Sequence, residues 1–448
     1  MNPRGTRVLR LDALARVEGE AALHLRVDGG TVAETRLRIY EPPRFFEALL
    51  SGRGHTEPPD ITSRICGICP VAYQMSACQA IENACGVTVD GPLADLRRLL
   101  YCGEWIESHT LHIYLLHAPD FLGLADVVGL ARDQRAAVER GLRLKQSGNA
   151  ILEQLGGRPI HPVNVRIGGF YRTPAPRELR PLAERLRQAR EDALETVRWV
   201  AAFDFPDAVY DHDLLALRDP GHYAIDSGTP AVIAARGGPR AAREFALSDF
   251  EQHVRERQVP HSTALTATLD DRRFLTGPLA RYAINGQWLH PVAAEAARDA
   301  GLGDPALGAI CDNPFRSIVV RAVEVVHAVE EALRIIDGYA QPPRPAVEVP
   351  PRRAVGAGAT EAPRGLLYHR YALTEDGTLT GARIIPPTAQ NQTAIEEDVR
   401  RAVQTRLDRD GPDADDEELT LLCERAIRNH DPCISCSAHF LDLTVERT

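Results

Sequence analysis

The sequence predicts a mainly helical α+β fold with small antiparallel hairpins, whose N- and C-terminal ends meet. Three observations predict it. Apolar residues recur at helical spacing through most of the chain. Two alternating stretches fold back around Gly-containing turns. A Cys-x-x-Cys pair lies near each end, Cys66/Cys69 and Cys433/Cys436. If both pairs serve one metal, the ends must come together, and separate domains strung along the chain are excluded.

The elements follow in order. Leu23–Val27 and Thr31–Ile39 alternate around Asp28-Gly29-Gly30 and read as a hairpin. Arg44–Leu50 reads as a short helix ended at Gly52. Pro70–Cys85 reads as a helix, with proline suited to its first turn and Gly86 to its close. A long helix is expected over Leu93–Leu116, ending before Pro119. Helical spacing returns at 131–155, 176–200, 247–255 and 317–336. The prolines of 341–351 mark either a linker or a connection over the surface. A second hairpin pairs Gly365–Leu373 with Thr378–Ile385 around Glu375-Asp376-Gly377, and helices follow at 393–407 and 417–427.

Composition narrows the function. The 448 residues are 44% hydrophobic and 25% charged, ordinary for a globular chain. A net charge of −10 argues against a nucleic-acid partner. No apolar run reaches the roughly 18–20 residues of a membrane span. The first twenty residues hold neither an apolar secretory core nor a twin-arginine pair. Nine cysteines are too few for a disulfide scaffold and odd in number, which fits a reducing, cytoplasmic setting.

Both cysteine pairs are placed to form thiolates. Pro70 follows Cys69 at a helix start, and Asp431-Pro432 reads as an N-cap and first helical residue ahead of Cys433. The positive end of a helix favours a thiolate. Spacing alone leaves three metals open: structural zinc, rubredoxin-like iron, or a catalytic metal. His109, His112 and His117 read as packing residues, and Cys78, Cys85, Cys102, Cys311 and Cys423 as buried small hydrophobes. Gly356-Ala357-Gly358 lacks the frame of a dinucleotide fingerprint.

The flanking residues decide among the metals. Arg16-Val17-Glu18-Gly19, Arg64-x-Cys66-Gly67-x-Cys69, His117-Ala118-Pro119-Asp120, Glu361-Ala362-Pro363-Arg364-Gly365 and Asp431-Pro432-Cys433-x-x-Cys436-x-x-His439 stand in that order along nearly the whole chain. Together they resemble the large, catalytic subunit of the nickel–iron hydrogenases. The resemblance implies that fold as one interlocked domain over 1–448, and an enzyme that interconverts H2 with protons and electrons. It implies a Ni-Fe centre in which all four cysteines bind nickel, with Cys69 and Cys436 bridging to an iron that carries carbon monoxide and cyanide. Arg364, Thr388 and Pro387 match positions near those ligands. Asp120 and Asp431 match carboxylates that surround the open site with Arg364. Cys433 or Arg364 would take a proton and Glu18 would pass it outward. Glu47 and His439 match ligands of a divalent ion, usually magnesium.

Tyr73, four residues after Cys69, replaces a histidine common in the family. With Cys433-Ile434-Ser435-Cys436-Ser437 it is similar to the cytoplasmic, bidirectional NAD(P)-linked branch that includes the sulfhydrogenases. That branch implies a small subunit carrying iron–sulfur clusters, diaphorase subunits that bind flavin and NAD(P), and a maturation protease that cuts after His439 to release 440–448. Two rivals stand beside this reading. One is a structural four-cysteine zinc protein. The other is the complex I relative of the family, which lacks the cysteines.

Overall fold

A computed structural model describes residues 6–235 and 242–438. Among them the fold is α+β and mainly helical, with small sheets set around a helical centre.

The expected N-terminal hairpin, Ala21–Asp28 with Thr31–Ile39, is joined by a third antiparallel strand, Thr6–Leu11. Alternation places Leu23, Leu25, Val27, Leu37 and Ile39 inward, where they pack on the Pro387–Asp410 and Asp416–Arg428 helices. The Pro70–Cys85 helix is buried on nearly every side and closes on Gly86, as the sequence predicts.

Gly91–Leu111 runs beside it and packs on Arg135–Gly156 and Ser317–Asp337, which in turn meets Pro176–Ala201. These helices carry the main core, which reaches all four paired cysteines. The Gly91–Leu111 helix does not stop before Pro119. It widens into a π turn, His112–His117, and resumes as Ala118–Phe121. Pro119 falls in the first turn of that new segment, where its missing N–H costs nothing.

The second hairpin, Gly365–Leu373 with Leu379–Ile385, gains a strand, Ala354–Ala362, on its other side. This strand explains the glycine pair. A Cβ on Gly356 would lie 2.3 Å from Ala80 O, and one on Gly358 2.6 Å from Ala80 N. The glycines let the strand lie against the Pro70–Cys85 helix.

Other expectations are corrected. The helix predicted over 247–255 forms over Leu247–His253, as a 3-10 turn and a four-residue α-helix, and gives way at Val254 to a strand, Val254–Gln258, paired antiparallel with Leu265–Leu269. Val254 and the Glu256 side chain, two residues apart, turn inward there. A mixed sheet over Asp213–Leu275 has no counterpart in the predicted elements, and its Phe274–Leu275 strand joins in parallel to Asp213–Leu214. The proline-rich stretch is a packed surface connection, tied to the body by Phe170 N–H to Pro345 O at 2.8 Å and Val347 N–H to Gly168 O at 2.9 Å. No helix among the described residues is long and apolar enough to cross a membrane.

Candidate metal centre

The four predicted cysteines converge. Their sulfurs all lie within 4.8 Å of one another, and each is buried. Cys66 Sγ is 3.4 Å from Cys433 Sγ, Cys69 Sγ is 3.5 Å from Cys436 Sγ, and Cys433 and Cys436 are 2.8 Å apart. None is in a disulfide.

The first pair sits in the short loop between a 3-10 turn, Ser63–Ile65, and the Pro70–Cys85 helix. Cys69 caps the Pro70–Cys85 helix, and Ile68 N–H points to Cys66 Sγ at 3.3 Å. Sequence reasoning missed the residue that completes this end. Glu104, fully buried on the neighbouring helix, accepts the N–H groups of Val71 at 2.6 Å and Ala72 at 3.1 Å. Burial pushes its carboxyl well up.

The second pair departs from expectation. Asp431 is not an N-cap. It adopts a left-handed backbone with φ 50°, and the following helix, Ile434–Ser437, has four residues and starts at Cys433. The donors of this short turn are met from afar. Cys433 N–H donates to Thr388 Oγ1 at 3.0 Å, Ile434 N–H to Glu18 O at 2.9 Å, and Ser435 N–H to a Glu18 carboxylate oxygen at 3.1 Å. Gly19 makes that approach possible, for it has φ +88° and a Cβ there would meet Ile434 Cβ at 2.6 Å. Arg44, also unforeseen, ties the two loops together: its guanidinium donates to Ile65 O at 2.8 Å and to Ser435 O.

Helix starts do not make all these thiols acidic. Hydrogen bonds from Cys433, Cys436 and Cys69 hold the Cys66 thiol well below its ordinary range. The Cys433 hydrogen bond also lowers Cys69, but its bonds to Cys436 and Cys66 and its burial outweigh that, and its thiol stays well up. Burial likewise pushes Cys433 up. A metal bound by all four sulfurs displaces the protons they carry. Four soft, convergent, unoxidised sulfurs fit nickel and iron.

The other predicted residues are placed as follows. Glu18, half-buried, holds a carboxylate oxygen 3.0 Å from Cys433 Sγ, which donates to it. Arg364, 2% exposed, spans the wall of the pocket. Its Nε donates to Asp431 O at 2.9 Å, its Nη2 to Asp431 Oδ1 at 3.1 Å and its Nη1 to Ser108 Oγ at 3.4 Å. Pro387 and Thr388 open the buried start of the Pro387–Asp410 helix. Asp120 is engaged elsewhere. Burial works to raise its carboxyl, but Arg428, at 2.7 and 2.8 Å, and Arg16 hold it low. Glu47 accepts the Ile384 N–H at 2.7 Å, and burial raises its carboxyl. His439 and the 440–448 tail lie outside the described residues. Tyr73 is buried against the cluster, and burial together with Cys436 and Cys69 pushes its phenol well up, so it stays protonated. His109, His112 and His117 are buried, His109 Nε2 2.9 Å from Glu324 and His112 bonded to Arg428 O, and the five remaining cysteines are buried as well.

A sequence profile described as nickel-dependent hydrogenase matches residues 44–151 and 316–439, segments that together hold both cysteine pairs. The chain belongs to the nickel-dependent hydrogenase family. It is 33% identical to sulfhydrogenase 1 subunit alpha of Pyrococcus furiosus over 97% of this chain and 98% of that protein. It is 32% identical to sulfhydrogenase 2 subunit alpha of the same organism, over 97% and 100%. The fold matches the crystal structure of an NAD+-reducing NiFe hydrogenase in its H2-reduced state with a TM-score of 0.86, 28% identity, and coverage of 97% and 99%. As a hydrogenase large subunit, the chain is an oxidoreductase built to hold a nickel–iron centre in the four-thiolate pocket.

Proposed function

We propose that this hydrogenase subunit oxidises H2 reversibly and passes the electrons to a small subunit carrying iron–sulfur clusters, and from there through diaphorase subunits with flavin to NAD(P). The supporting observation is the four-thiolate pocket with the Glu18 carboxylate on Cys433 Sγ. Cys66 and Cys433 would hold nickel, and Cys69 and Cys436 would hold both nickel and an iron carrying carbon monoxide and cyanide. When bound, that centre would supply the two-electron chemistry that converts H2 into two protons and two electrons.

The protein residues have separate tasks. Cys433 releases a proton to Glu18, whose half-buried position gives it an outward side. The Arg364 guanidinium stays charged and, with Asp431, fixes the polar wall of the pocket, with Thr388 beside it. Asp120 acts on this wall indirectly, through Arg428 and the turn that leads into Asp431. Glu47 would supply one oxygen to a magnesium ion, which favours oxygen ligands, and His439 another ligand. The chain works as one interlocked domain in the cytoplasm. A protease would remove 440–448 after His439 once nickel is in place.

The reading is supported by the 28% identity to the NAD+-reducing structure over nearly the whole chain. Purifying the subunit with its iron–sulfur and flavin partners tests it. H2-dependent reduction of NAD+ or NADP+ is expected. A complex that reduces an artificial viologen with H2 but neither nucleotide would overturn the NAD(P) link and leave the hydrogenase reaction standing.

A further inference from the structure

Arg321 lies on the Ser317–Asp337 helix with a side chain only 1% exposed. A guanidinium so buried needs a compensating charge. Glu324, one turn on, is already engaged. Arg281 binds both its oxygens, at 2.7 and 2.8 Å, Tyr223 O–H donates at 2.7 Å, and His109 Nε2 lies 2.9 Å away. Arg321 reaches Pro363 O at a marginal 3.5 Å, and its Nε has no partner among the described residues. The carboxylate facing it is that of Asp431, with Oδ2 3.9 Å from Arg321 Nη1. Asp431 Oδ2 is itself buried without a hydrogen-bond partner among the described residues, while Oδ1 takes Arg364. Burial draws Arg321 down to about 10, and Asp431 is the charge that most opposes this.

Asp431 is thus caught between two buried guanidiniums. Its backbone is left-handed, a conformation that neighbouring contacts must hold in place. Two positive groups against one carboxylate leave one positive charge beside the four sulfurs. The 3.9 Å gap is long for a direct bond. Nη1, the atom facing the gap, has only the marginal Pro363 O contact, and Oδ2 has no partner among the described residues, so the gap suits an ordered water.

We propose that Arg321 is a positioning residue for the hydrogenase reaction: through one bridging water it clamps Asp431 Oδ2 from the side opposite Arg364, and so fixes where Arg364 points. This rests on the reading of Arg364 and Asp431 as the polar wall of the open site.

The test uses the holoenzyme complex and four variants: Arg321→Gln, Arg321→Lys, Asp431→Asn, and Arg321→Gln with Asp431→Asn. The expected result for Arg321→Gln is unchanged nickel content, a kcat lowered about 30-fold, and a KM for H2 within about twofold of wild type. Arg321→Lys should recover about tenfold of that loss, since it restores the charge without the fork. The double variant should be within about threefold of Asp431→Asn alone, because both changes break one linkage. Losses that multiply, or a wild-type kcat in Arg321→Gln, would overturn the proposal. If Arg321→Gln does not fold, a high-resolution crystal structure of the wild type decides. A water joining Arg321 to Asp431 Oδ2 supports the clamp, and a guanidinium turned away from Asp431 refutes it. Full turnover in Asp431→Asn would instead bring down the polar wall itself, and that outcome is told apart by the normal behaviour of the single Asp431 variant.

Discussion

The two halves of the thiolate pocket are built differently. Cys66 and Cys69 stand at the head of a buried sixteen-residue helix, whose first free N–H groups are met by Glu104 from the next helix along the chain. Cys433 and Cys436 stand on a single four-residue turn that cannot hold itself. Its donors go to Glu18 and Thr388, and the loop before it is pinned by Arg364 and by Ser317, whose hydroxyl donates to Asn429 O at 2.7 Å. The first half is a scaffold formed by local structure. The second is assembled from contacts between residues far apart in sequence, which close very long loops.

That contrast can be broken by mutation, and the largest effect tests what both halves share. Alanine at Cys69 or at Cys436 should reduce nickel to background and abolish H2 oxidation, because each removes a thiolate from the same pocket. Metal analysis of the purified complex checks it, and full nickel in either variant would mean the halves do not act together.

The next effect belongs to the second half. Glu18→Gln keeps the shape but cannot carry a proton, and hydrogen–deuterium exchange should fall by about 10²–10⁴-fold with nickel retained. Undiminished exchange would place the proton route elsewhere. Arg364→Lys should retain the metals and lower turnover by about 10²–10³-fold, because lysine cannot span Asp431 and Ser108 together. Near-normal H2 oxidation by a fully metallated Arg364→Lys enzyme would remove Arg364 from the wall.

Smaller effects separate the halves by stability. Glu104→Leu leaves two buried N–H groups unmet and should cost about 1–3 kcal/mol by denaturant unfolding. Arg44→Met loses hydrogen bonds on an exposed side chain and should cost about 1 kcal/mol. In the nickel-free chain, the Ile434 and Ser435 amides should exchange with deuterium faster than those of Val71 and Ala72. Equal protection would erase the distinction between a preformed and an assembled half.

What the sequence revealed follows the same division. The Pro70–Cys85 helix carries its own start and stop, Pro70 and Gly86, and both hairpins carry their turn glycines. Those signals act within a few residues and are legible without a fold. The strands Thr6–Leu11 and Phe274–Leu275 are not, because each is defined by a partner that local pattern does not name. The π turn at His112–His117 hid behind Pro119, which looks like a stop and serves as a start. At the site, the four cysteines were legible because their spacing and flanks are characteristic. Asp431 looked like an N-cap since Asp-Pro favours one, yet its backbone is left-handed and its carboxylate is taken by Arg364. Glu104, Arg44 and Arg321 matter through long-range contacts, and nothing in their immediate neighbours marks them.

That the four thiolates hold a nickel–iron centre that reacts with H2 is open to spectroscopic test. The infrared spectrum of the purified complex, recorded before and after exposure to H2, tests it most directly. Carbonyl and cyanide stretches that shift under H2 are the predicted result. A spectrum empty of such bands, from protein whose four cysteines hold a single zinc, would contradict it.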